Sequence, residues 1–70
     1  MARTIYRVEP RSGEWVISKG LGLSVKLMAY ERKQDAVEGA RLLALRNLPS
    51  RLIVFDEDGV VESEQMFGQK

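Results

Sequence analysis

The sequence predicts an α+β domain in which one helix packs on one face of an antiparallel sheet of four to five strands, in the order β-β-β-α-β-β. Three observations predict it. Short runs of alternating or β-branched residues lie on both sides of a single segment of helical period. Clusters of Gly, Pro, Ser and Asp punctuate those runs. The 70 residues hold no repeat and no linker, so 1–70 reads as one small domain.

Thr4 to Val8 alternates and is rich in β-branched and aromatic residues, the mark of a first strand. Pro10-Arg11-Ser12-Gly13 turns the chain into a second strand over Trp15–Lys19, paired with the first as a hairpin. Gly20-Leu21-Gly22 breaks that strand. Leu23 to Ala29 then alternates again, with Leu23, Val25 and Leu27 expected inward together with Tyr6, Val8, Trp15 and Ile17, and set against Ser24, Lys26 and Met28.

From Arg32 or Lys33 to Asn47 the period becomes helical, with Ala36, Val37, Ala40, Leu43, Ala44 and Leu48 on one stripe. Gly39 falls inside that helix at a cost of about 1 kcal/mol against Ala. A close approach of helix to strand would account for it. Leu48-Pro49 ends the helix, because the residue before proline is pushed out of the α region. Arg51–Phe55 is a β-branched strand, Asp58-Gly59 carries the signal of a type I′ hairpin, and Val60–Phe67 closes the order.

Several segments have the order of a known family: Val8-Glu9-Pro10, Gly13-Glu14-Trp15-Val16-Ile17, the alanine-rich Asp35–Ala44, Leu52-Ile53-Val54-Phe55, and Asp58-Gly59-Val60-Val61 before Phe67-Gly68. On these motifs the chain resembles, over residues 6–68, the small bacterial family catalogued as domain of unknown function 2188. The resemblance implies the same α+β fold and no established activity. Family members usually offer Thr or Ser where the helix begins. Here the position is Arg32, which lacks a capping oxygen.

The composition excludes several classes of chemistry. The chain has neither Cys nor His, which removes disulfides, conventional zinc sites and imidazole-based nucleophilic catalysis. With serines lacking a base to activate them, no catalytic residue, no cofactor and no metal is expected, and the chain reads as a non-enzyme. Asp56-Glu57-Asp58-Gly59 reads as a turn, since its glycine comes two positions too early for an EF-hand loop. Gly20-Leu21-Gly22 lacks the third glycine and lysine of a phosphate loop. No apolar run approaches the roughly 20 residues a membrane span needs, and the N-terminus alternates where a signal peptide would be continuously apolar. A cytoplasmic protein without a membrane partner is expected.

The net charge of +1 hides an asymmetry. Residues 1–51 carry ten cations and five carboxylates, whereas 52–70 carry one cation and five carboxylates. Arg3, Arg7, Arg11, Lys19 and Lys26 form a basic set on the first three strands and their turns, suited to a nucleic-acid phosphate backbone. Tyr6 and Trp15 could stack bases, but they share strand parity with Val8 and Ile17 and so read as core.

A sheet with one solvated face should show polar residues at alternate positions. Ile5, Val16 and Met28 break that rule, as do Ile53 and Phe55, and Leu42 and Leu45 lie off the helix stripe. These seven are the candidates for self-association, because contiguous apolar surface marks an interface. The expected function is a small interaction module that forms a homodimer and binds another protein. A nucleic-acid binder using the basic set is the alternative.

Overall fold

The computed structural model describes residues 3–20 and 25–68. Strands β1 (Thr4–Arg11), β2 (Glu14–Lys19) and β3 (Val25–Tyr30) precede helix α1 (Lys33–Arg46), and β4 (Ser50–Phe55) and β5 (Val61–Phe67) follow it. The fold is α+β, with the expected element order and the helix packed on one side of a five-stranded sheet. Residues 21–24, which include Leu21 and Gly22 of the expected break and Leu23 and Ser24 of the expected third strand, lie outside the described residues.

The strands stand in the order β3-β2-β1-β4-β5. The sheet is mixed where a wholly antiparallel one was expected: β1 and β4 are parallel, and the other three pairs are antiparallel. The reason lies in the connections. Two antiparallel pairings bring β3 back to the direction of β1, and the α1 crossover returns the chain in that same direction beside β1.

The β1–β2 turn is the tightest in the molecule that the described residues show. Arg11 pairs with Glu14, leaving Ser12 and Gly13 as the only loop residues. Both have positive φ, 52° and 79°, which is the type I′ geometry whose twist matches paired strands. The Asp58-Gly59 signal resolves differently. Asp56 to Val60 forms a longer loop in which Gly59 N–H donates to the Asp56 carbonyl at 3.0 Å and Gly59 takes φ 80°.

The core lies between helix and sheet. Tyr6, Val8, Ile17, Leu52 and Val54 bury against Ala36, Ala40 and Ala44, each alanine fully covered. Each large side chain so buried contributes about 1.5–3 kcal/mol. Trp15, Tyr30, Val37, Leu43 and Phe67 pack around the margin. Alanines at i, i+4 and i+8 let the helix axis settle close to the sheet. Gly39 continues that approach, since a Cβ there would stand 2.5 Å from the Tyr30 hydroxyl and 3.3 Å from Ile17 Cδ1.

Two expected core positions on β3 and one after the helix face solvent. Ile17 pairs with Met28 and Ser18 with Lys26, so Leu27 is an extra residue in a bulge and the strand's parity changes there. Val25 and Leu27 are exposed, and Tyr30 supplies the strand's contact with the core. Leu48 is likewise exposed, because the chain has left the helix by then. At that exit the Ser50 hydroxyl donates to the Ala44 carbonyl at 2.7 Å and the Asn47 amide to the Leu43 carbonyl at 2.8 Å. Both satisfy carbonyls that the helix end leaves without intrahelical partners.

Candidate interaction surfaces

Three surfaces are available for contact: the sheet face opposite the helix, the two sheet edges, and the outer side of α1. The sheet face is built by strand parity. Ile5, Arg7, Glu9 and Arg11 of β1 stand beside Val16 and Ser18 of β2 and beside Arg51, Ile53 and Phe55 of β4. The face therefore has an apolar floor, yet that floor is already covered. Val16 is 1% exposed and Ile53 8%, although no element of the fold lies over them.

Long side chains form the cover. Glu9 accepts from Arg7 at 2.8 Å and from Arg11 at 3.4 Å, and the Ser18 hydroxyl donates to it at 3.4 Å. Arg7 also lies 5.4 Å from the Phe55 ring centroid, within cation–π range. Arg51 pairs with Glu64 across the neighbouring strand. Glu9 stands opposite Val16 and Arg7 opposite Ile53 in the ladder, so these long side chains flank the floor while their charged heads pair.

Of the basic set, Arg3, Arg7, Arg11 and Lys26 have the parity of this face, and Lys19 has that of the helix face, opposite Tyr6. Arg3 donates to the Met66 sulfur at 3.1 Å. Arg51 is a further cation here that the sequence reading missed. Parity within the Arg51–Phe55 strand, counted from Leu52 and Val54 as inward, would have found it. Five cations thus share the face with Glu9, Glu14 and Glu64, so its positive excess is small. Tyr6 is buried in the core and Trp15 half-buried beside it, with Lys33 5.5 Å from the Trp15 ring centroid. Neither ring is laid out as a stacking platform.

Both sheet edges are irregular. In β3 the bulge is at Leu27, and Lys26 precedes it. In β5, Val54 pairs with Ser63 and Phe55 with Val61, so Glu62 is the extra residue, bonded to Lys33. Bulges and charges of this kind turn an edge away from pairing with another chain. In the loop beside β5, Asp56 Oδ1 accepts the backbone N–H groups of Asp58 at 2.8 Å and Val60 at 3.0 Å. That carboxylate holds the turn.

The seven self-association candidates consequently divide. Ile5, Val16, Ile53 and Phe55 stay together on the covered sheet face. Met28 is on the β3 edge, exposed, with its sulfur accepting from the Tyr30 hydroxyl at 3.2 Å. Leu42 and Leu45 come together on the outer side of α1, at 60% and 52% exposure. With Glu38, Gly39 and Arg41 they line a shallow depression of about 290 Å³. Among the described residues no helix is long and apolar enough to cross a membrane. No family model, curated protein or solved structure matches the chain.

Proposed function

We propose that this protein is a non-enzymatic, cytoplasmic interaction module that associates with itself and in that form binds another protein. The observation that carries this reading is the Leu42/Leu45 pair. Two large apolar side chains, each more than half exposed, stand together on one side of the helix, and contiguous apolar surface marks an interface. A domain of 70 residues without disulfides also has a thin margin of stability, and oligomerisation is one of the few ways to widen it. Kinship with domain of unknown function 2188 belongs to the same proposal and rests on the motifs quoted above.

Sedimentation velocity from low to high micromolar concentration tests the reading. A rise in weight-average mass toward twice the 7.9 kDa of the chain supports it. A monomer across the whole range removes it.

The second reading, a nucleic-acid binder, is favoured by Arg3, Arg7, Arg11, Lys26 and Arg51 sharing one face. It is opposed by Glu9, which ties two of those arginines. Glu9→Gln decides between these effects. If the face binds a phosphate backbone, the variant binds RNA or DNA more tightly at low salt, where electrostatic association is strongest. If neither form binds at low salt, this second reading fails.

A further inference from the structure

The dimer that this reading requires has a geometry written on α1, and we propose that the occupant of its outer side is the same helix of a second copy, antiparallel, about a two-fold axis at Leu42. The proposal rests on the self-association reading and adds to it the surface, the orientation and the contacts. The two other surfaces are poorly suited. The edges are bulged and charged, and the sheet face has its apolar floor covered by paired charges. The outer side of the helix instead presents two large aliphatic side chains, Leu42 and Leu45, next to each other and more than half exposed.

The outward side of α1 is opposite the buried Ala36, Ala40 and Ala44. At 100° per residue it carries Asp35, Glu38, Leu42, Leu45 and Arg46, all exposed. Asp35, Glu38, Leu42 and Leu45 repeat at intervals of three and four, the spacing by which one helix seats on another. Charge is distributed about Leu42 in a way that selects an antiparallel partner. Glu38 lies about 6 Å toward the N-terminus from Leu42 and Arg46 about 6 Å toward the C-terminus, at a rise of roughly 1.5 Å per residue.

A two-fold axis at Leu42 therefore sets Glu38 of each copy opposite Arg46 of the other. A parallel arrangement would place Glu38 against Glu38. The same axis brings both Leu42 side chains together, flanked by both Leu45 side chains. Neither charge is otherwise engaged, since the ion pairs among the described residues do not include Glu38 or Arg46. An isologous contact of this kind closes on itself as a dimer.

Charge reversal tests the orientation on the full chain. Both substitutions are at exposed helix positions, and circular dichroism verifies that each variant is folded. By sedimentation, E38R alone and R46E alone each weaken association by roughly tenfold or more, because each homodimer then holds two like-charge contacts. An equimolar mixture of the two variants restores association to within about threefold of wild type, since the mixed dimer regains both opposite-charge contacts. Leu42→Cys adds a readout independent of charge. The chain has no cysteine, so mild oxidation of this variant links two copies, whereas Glu57→Cys in the β4–β5 loop does not cross-link under the same conditions.

Wild-type self-association that neither reversal weakens overturns the helix pair while leaving the module reading standing, as does weakening that mixing fails to restore. Absence of cross-linking at Leu42→Cys in a protein that does self-associate also overturns it. A wild type that stays monomeric removes both proposals together.

Discussion

The Tyr30 hydroxyl fills the space beside Gly39 so closely that a Cβ there would stand 2.5 Å from it and 3.1 Å from Tyr30 Cζ. This contact fixes how α1 lies across β2 and β3, and it decides the sign of a substitution that helix propensity alone would favour. Gly39→Ala gains about 1 kcal/mol of propensity and meets overpacking that costs about 1–3 kcal/mol. The net expectation is destabilisation. In a Tyr30→Phe background the closest contact is gone, so Gly39→Ala costs less there than in wild type. A double-mutant cycle by urea unfolding should show a coupling of about 1 kcal/mol, and additivity within error would mean that Tyr30 does not limit the approach.

The Ser12-Gly13 turn holds a second correctable strain. Ser12 has φ 52° with no special tolerance for that region, whereas Asn is among the few residues that visit it readily. Asn-Gly is also the preferred pair for a type I′ hairpin. Ser12→Asn should raise stability by about 0.5–1 kcal/mol, measured by thermal or urea unfolding. Ser12→Val, a β-branched residue in the same conformation, should lower it.

Much of this was legible in the sequence, and the parts that were not have identifiable physical causes. Tyr6, Val8, Ile17, Leu52 and the three alanines are inward as period and parity predict, because hairpin twist and helix stripe act locally. Gly39 also announced its own reason, a close approach to a strand. Leu27 and Met28 misled, because a bulge at Leu27 inserts one residue and gives Met28 and Tyr30 the helix-side parity, and nothing in the sequence Val25-Lys26-Leu27-Met28 marks it. Val25, opposite Lys19, keeps the helix-side parity and is exposed all the same. Burial of Val16 and Ile53 was equally hidden. Their cover comes from Arg7, Glu9 and Arg51, whose stems must reach across strands that are neighbours only in the folded sheet. The parallel β1–β4 pair required knowing which strand the crossover rejoins.

Arg32 occupies the N-cap of α1 with extended dihedrals, φ −117° and ψ 138°, and makes no side-chain hydrogen bond to the first turn. A Ser or Asp oxygen in that position would accept an N–H that the helix leaves without an intrahelical partner. Asp35 already places one negative charge in the first turn, so Ser, which adds no second carboxylate, isolates the capping bond. Arg32→Ser should stabilise the protein by about 0.5–1 kcal/mol. Arg32→Ala, which removes the charge without supplying an acceptor, should gain little of it, and equal gains from both would assign the effect to charge.

Tyr6 gives the fold a dependence on alkaline pH. It is 2% exposed in the core, and burial pushes its hydroxyl above the ordinary value of 10.0, because an apolar surrounding disfavours the phenolate. Below pH 10 both folded and unfolded chains keep the proton, so the group contributes no pH dependence. As pH rises past 10 the unfolded chain releases its proton first, and the folded state, still protonated, loses stability relative to it until its own higher value is reached. Unfolding free energies of wild type should therefore fall more steeply between pH 9.5 and 11, a window chosen to bracket roughly that ordinary value, than those of Tyr6→Phe. Every other group is common to the two proteins, so the comparison isolates the Tyr6 hydroxyl. Parallel pH profiles for the two would show that the Tyr6 hydroxyl ionises as easily in the folded core as in water.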